Sequence, residues 1–98
     1  MDLRSEVYII ENSTSKVVAT ATIIIDECFV VKGLKIFDGA NGYFVSMPNK
    51  KTQNGEYKDI AFPITKEARE QITQTVLQEY ERKLNEVAKI NNSNDLPF

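Results

Sequence analysis

The chain has 98 residues, 42% of them hydrophobic, and carries 12 basic and 14 acidic side chains for a net charge of −2. That length and composition fit one domain with one small core and exclude a chain disordered throughout. With no histidine and one cysteine, an internal disulfide, a thiolate zinc site and the commonest general base are excluded as well.

The start, Met1-Asp2-Leu3-Arg4-Ser5-Glu6, is acidic and polar rather than a basic leader, and the apolar runs, Ile23 to Ile25 among them, are far too short to span a membrane. These features predict a cytoplasmic protein, where a lone thiol is stable. Leu3 to Ile10 alternates, with Val7 and Ile9 on one face and Tyr8 and Ile10 on the other, and predicts a first strand. Glu11 to Lys16 is a polar turn cluster. Val17 to Ile25, rich in Val, Thr and Ile, predicts a second strand with Ala19, Ala21, Ile23 and Ile25 on one face. Asp26-Glu27 is a tight turn without the Asn-Gly of a type I′ hairpin, which predicts a loop longer than two residues. Phe29 and Val31 share a parity opposite to that of Leu34 and Ile36. An extra residue at Lys32-Gly33 brings all four to one face, so Gly33 is read as a β-bulge.

Asp38 to Gly42 is a turn, with Asp38 capping its own backbone. Tyr43 to Met47 is a short strand stopped by Pro48, and Asn49 to Gly55 is a polar loop holding Lys50 and Lys51. Tyr57 to Phe62 is extended, Pro63 closes it, and Thr65 is placed to cap a helix. Ala68, Ile72, Val76, Leu77, Tyr80, Leu84 and Val87 form one helical stripe, predicting a helix from Lys66 to Leu84 or Ala88. The fold class is therefore α+β: an antiparallel sheet of four to five strands followed by one long C-terminal helix, with residues 1–90 as one domain and 91–98 as a polar tail. One helix covers only one face of such a sheet. The apolar stripe is also longer than a strand is wide, which predicts a homodimer.

Positive charge gathers in the middle of the chain. Residues 32–58 hold Lys32, Lys35, Lys50, Lys51 and Lys58 against Asp38 and Glu56, whereas residues 1–31 are net acidic. Adjacent lysines on a loop can displace counterions from a phosphate backbone, although a solvated loop is the commoner reason for them. Tyr43, Phe44 and Tyr57 have two readings: apolar anchors, favoured for Phe44, or stacking platforms for unpaired bases, with both readings open for the tyrosines. Cys28 heads an apolar strand with no histidine to activate it and reads as a buried packing residue. Glu56 and Asp59 flank Lys58 and are placed to pair with lysines. No carboxylate pair is positioned for acid–base work, and no loop gathers oxygen ligands for a metal. The glycines of Asp38-Gly39-Ala40-Asn41-Gly42 join two strands, so this segment lacks the helix start of a phosphate-binding loop.

The segments Asp38-Gly39-Ala40-Asn41-Gly42-Tyr43-Phe44-Val45-Ser46-Met47-Pro48-Asn49-Lys50-Lys51-Thr52 and Gly55-Glu56-Tyr57-Lys58-Asp59-Ile60-Ala61-Phe62-Pro63-Ile64, with the helix from Ala68 to Tyr80, resemble the stage V sporulation protein G (SpoVG) family over residues 17–82. The resemblance implies a cytoplasmic, homodimeric, non-enzymatic protein that binds DNA, and in some members RNA, and regulates gene expression, cell division and sporulation-related processes. It implies no cofactor, no membrane association and no small-molecule substrate. Its nucleic-acid contacts fall on the basic pair after the Met-Pro turn, here Lys50 and Lys51, with Thr52 beside them; Lys32, Lys35 and Lys58 are supporting charges. Many relatives have Arg where this chain has Lys51, and often His where it has Phe62. Lys51 offers a point charge in place of a planar fork. The competing expectation is a protein–protein adaptor of division or regulatory proteins, with nucleic-acid binding incidental.

Overall fold

Alternating side chains make the strands, and a single phase change aligns them. The structure, a computed structural model, describes residues 1–10 and 15–94; most of the expected polar turn, Glu11 to Thr14, lies outside the described residues. Strands β1 (Leu3–Ile9), β2 (Val17–Ile25), β3 (Phe29–Gly39) and β4 (Gly42–Ser46) form one antiparallel sheet in the order β1-β2-β3-β4. β5 (Asn49–Lys51) and β6 (Tyr57–Asp59) form a separate two-stranded sheet, and α1 (Lys66–Asn94) follows. The α+β class and the four-stranded sheet agree with the expectation. The further strands do not extend that sheet.

Ile9, Ala19, Ile36 and Val45 make one row across all four strands on the inner face. Ala19 and Ile36 are fully buried there. Next to it, Val7, Ala21 and Leu34 make a second buried row. These rows depend on the bulge. Ala21 faces Leu34 while Ile23 faces Val31, so β3 inserts one residue at Lys32-Gly33, where Gly33 has φ +94°. The parity argument placed it correctly. A second register shift leaves Val18 as the extra residue of β2.

The β2–β3 turn is tighter than its sequence suggests. Asp26 and Glu27 both adopt positive φ, 52° and 55°, and the Cys28 amide donates to the Ile25 carbonyl at 3.0 Å. Distant partners hold this conformation: the Asp2 amide donates to Asp26 Oδ1 at 2.8 Å, and Arg4 donates to both Glu27 carboxylate oxygens at 2.8 and 2.9 Å. Asp38 is a strand residue opposite Tyr43, so the expected Asp38–Gly42 turn shrinks to Ala40-Asn41 between Gly39 and Gly42.

The Ala68 amide donates to Thr65 Oγ1 at 3.1 Å, which makes Thr65 the helix cap. Glu67 lies in the first turn, where the helix dipole favours a carboxylate. Val76 and Tyr80 are buried against Val7, Leu34, Ile36 and Met47, with Ile72, Leu77 and Leu84 flanking them. Helix α1 runs to Asn94, beyond the predicted end. A nucleated helix propagates at little cost per residue, even through residues of modest propensity. The remaining expected tail, residues 95–98, lies outside the described residues. At 1.5 Å per residue the helix is about 43 Å long, whereas β1 is only about 23 Å, so α1 overhangs the sheet. No described helix is long and apolar enough to cross a membrane.

Two measurements probe this core. Ile36→Ala removes a side chain with no exposure from the central row, and urea unfolding followed by circular dichroism is expected to register a loss of about 2–5 kcal/mol. Burial, reinforced by the Tyr43 hydroxyl, pushes the Tyr80 phenol up to about 12. The folded state therefore holds the Tyr80 proton after the unfolded chain has lost it near pH 10, and stability falls as pH rises from about 10 to 12. Absorbance titration at 295 nm is expected to show that the last tyrosine to ionise is the one Tyr80→Phe removes.

Candidate nucleic-acid interface

Pro48 has no amide hydrogen for a ladder, and the chain leaves the main sheet there. Asn49 Nδ2 donates to Ser46 Oγ at 3.3 Å and to the Met47 carbonyl at 3.1 Å, and the Ile60 amide donates to the Pro48 carbonyl at 2.7 Å. Both ends of the β5–β6 hairpin are thus tied to the end of β4. Its tip closes through the Thr52 amide on the Glu56 carbonyl, 2.7 Å, and the Gly55 amide on the Thr52 carbonyl, 3.0 Å. Gly55 has φ +85°, which a residue without a Cβ adopts freely.

The lysine pair therefore stands on a strand, where a loop was expected. The register sets Lys50 opposite Lys58 and Lys51 opposite Tyr57. Opposed residues share a face and neighbours alternate, so one face of the hairpin carries two ammonium groups and the other an ammonium beside a phenol. Lys50, Lys51, Thr52, Gln53, Lys58, Asp59 and Ile60 line a cleft of about 370 Å³. Lys50, Lys51 and Lys58 are exposed and form no ion pair among the described residues, so the expected pairing with Glu56 or Asp59 is absent there. Thr52 Oγ1 is buried within the hairpin and has no hydrogen-bond partner among the described residues. Like charges set directly opposite destabilise a ladder by about 0.2–1 kcal/mol, and an unpaired buried hydroxyl adds to that. An anion bridging Lys50 and Lys58 offsets the first of these costs.

Lys32 and Lys35 stand elsewhere, on the face of the main sheet away from α1. Lys35 is opposite Thr20 and Ser46, and Lys32 lines a shallow groove with Tyr8, Thr20, Thr22, Ile24 and Val30. Neither forms an ion pair among the described residues. Of the six expected contact residues, the structure thus brings Lys50, Lys51, Thr52 and Lys58 together and puts Lys32 and Lys35 on a second surface.

The aromatic residues separate in the same way. Tyr43 turns inward and meets the Tyr80 ring edge-on at 5.0 Å. Tyr57 is 69% exposed on the hairpin. Phe44 is 52% exposed on the helix-free face and stacks on Phe37, with ring centroids 5.1 Å apart and planes 6° from parallel. Tyr8 and Phe37, not singled out from the sequence, share that face; strand parity was the signal that could have found them. Cys28 is exposed, not buried, because the tight turn leaves it outside the strand pairing. A further apolar groove of about 270 Å³ runs between the inner face and the start of α1, and Phe62 and Ile64, 57% and 89% exposed, lie on it.

A four-stranded antiparallel meander backed by one helix, with a cationic hairpin inserted between sheet and helix, defines a small α+β protein. A SpoVG family profile matches residues 3–82, and the chain belongs to the SpoVG family. Similar proteins carry the name "Putative septation protein SpoVG". One from Anaeromyxobacter sp. (strain Fw109-5) is 42% identical over 80 residues, 82% of each chain. One from Myxococcus xanthus is 40% identical over 82 residues, 84% of this chain and 83% of the relative. One from Caldanaerobacter subterraneus is 41% identical over 83 residues, 85% and 86%.

The opposed lysines yield a prediction in which stability and binding move in opposite directions. Lys58→Glu turns the Lys50–Lys58 repulsion into attraction and is expected to raise stability by up to about 1 kcal/mol. The same change is expected to weaken binding of labelled DNA severalfold. Thermal unfolding and fluorescence anisotropy read the two effects on one sample.

Proposed function

We propose that this protein is a dimeric, non-catalytic, cytoplasmic nucleic-acid-binding regulator acting in septation or sporulation-related processes. The observation that carries the reading is the hairpin that presents Lys50 and Lys58 on one face and Lys51 on the other, without carboxylate partners among the described residues. Ammonium groups without partners exchange condensed counterions for themselves on a phosphate backbone, and the entropy of counterion release supplies the affinity. Such contacts hold the backbone and carry little sequence information of their own. The names of the SpoVG relatives support the septation role.

The dimer is supported by the exposed apolar segment on the groove beside α1, where Phe62 and Ile64 are 57% and 89% exposed. A second copy covering that segment doubles the number of lysines presented to one duplex. The same segment is what favours the adaptor reading, in which a division or regulatory protein occupies the groove.

Fluorescence anisotropy of labelled duplex DNA and single-stranded RNA, titrated at several salt concentrations, tests the regulator reading. Lys50→Ala/Lys51→Ala is expected to bind at least tenfold more weakly and to flatten the salt dependence by about 0.9 per lysine removed. Sedimentation of the wild type is expected to give the mass of two chains. A double variant that binds normally overturns the site. One that loses binding yet keeps its activity in the cell favours the adaptor.

A further inference from the structure

The face of the main sheet opposite α1 is built unlike a face meant only for water. Tyr8, Thr20, Lys35 and Ser46 form one row across β1, β2, β3 and β4. Phe37 and Phe44 form the neighbouring row on β3 and β4. Tyr8 is 60% exposed and Phe44 52%. Each ring has a contact that fixes it. Phe44 lies on Phe37 and so close over Gly39 that a methyl group there would meet the ring at 3.1 Å. The Tyr8 hydroxyl donates to Glu6 Oε2 at 3.2 Å, and the Glu6 carboxylate is itself 3.6 Å from Arg4. Lys35 stands between the two rings, and Lys32, at the Gly33 bulge, shares a groove with Tyr8 and Glu6.

From these positions we infer a second binding surface: the helix-free face takes a single-stranded nucleic acid, with unpaired bases stacked on Tyr8 and Phe44 and the intervening phosphate on Lys35. This rests on the nucleic-acid reading above and assigns the strandedness and the mode of contact. With strands about 4.8 Å apart and 3.4 Å per residue, Tyr8 and Phe44 are about 16 Å apart. That distance accommodates two or three splayed nucleotides, the number that antiparallel sheets with exposed aromatics stack. Stacking needs only a π-face, so it binds without sequence preference, whereas a duplex keeps its bases covered. A second copy suits this face poorly, because lysine is depleted from the cores of protein–protein interfaces and Lys35 sits at the centre of the row.

The test compares labelled (dT)12 with a 12-base-pair duplex. Tyr8→Leu/Phe44→Leu keeps apolar bulk and removes both π-faces. It is expected to weaken (dT)12 at least tenfold and the duplex less than twofold, with an unchanged circular dichroism spectrum. Lys35→Ala, an exposed change that leaves the core intact, is expected to flatten the (dT)12 salt dependence by about 0.7 per protomer and leave the duplex unaltered. Loss of both probes alike in these variants, or of neither, overturns the surface. So does a double variant that sediments as a monomer when the wild type is a dimer, since the face then belongs to a second copy. Wild type that binds duplex but not (dT)12 sinks this inference alone, and wild type that binds neither sinks the regulator reading with it.

Discussion

The one-residue phase change at Gly33 is the constraint on which both faces of the sheet depend. A strand alternates strictly, and a slip of one residue sends every later side chain to the opposite face. Without the extra residue, Val31 could face α1 only if Leu34 and Ile36 pointed to water and Lys35 to the core. With it, Leu34 and Ile36 are buried under Val76 and Tyr80 while Lys35 stands among polar neighbours. Gly33 suits the position because its φ of +94° is strained for any residue with a Cβ, and Pro48 packs at 3.4 Å from where that Cβ would be. The bulge thus touches the residue at which the chain leaves the sheet for the hairpin. One irregularity sets the phase of the core and contacts the root of the cationic site.

Local chemistry was legible; pairing between segments was not. The alternation of Val7 and Ile9 against Tyr8 and Ile10, the parity break before Leu34 and the Thr65 cap all follow from neighbours a few residues apart, and all appear in the structure. The Asp26-Glu27 turn misled because nothing nearby favours two positive φ angles. Asp2 and Arg4, more than twenty residues upstream, hold it. The Lys50–Lys58 pairing was hidden for a related reason. Like charges do not choose each other across a ladder, so the hairpin follows from the ties at Pro48 and Asn49 and from the Gly55 tip.

The candidate site was legible as a list of lysines, not as a geometry. Charge counting cannot tell Lys35, fixed in the plane of a four-stranded sheet, from Lys50, carried on a hairpin beyond its edge. The aromatic residues were divided by strand parity: Tyr43 and Phe44 are adjacent in sequence, yet one packs on the helix and the other faces away from it. Two lysine groups on different elements can serve different parts of one ligand or two ligands at once.

Each strand of the main sheet pairs with its neighbour in the chain, and α1, the helix that covers the inner face, follows all of the strands among the described residues. During synthesis the meander can assemble from short-range contacts, which close quickly. Val7, Ile23, Leu34 and Ile36 then wait on the ribosome without a lid. At roughly 5–20 residues per second, the 29 residues of α1 take about 1.5–6 s to appear. For that interval the nascent sheet is an open hydrophobic surface, and a stalled or truncated chain ending before Lys66 is a substrate for chaperones or aggregation rather than a smaller working protein.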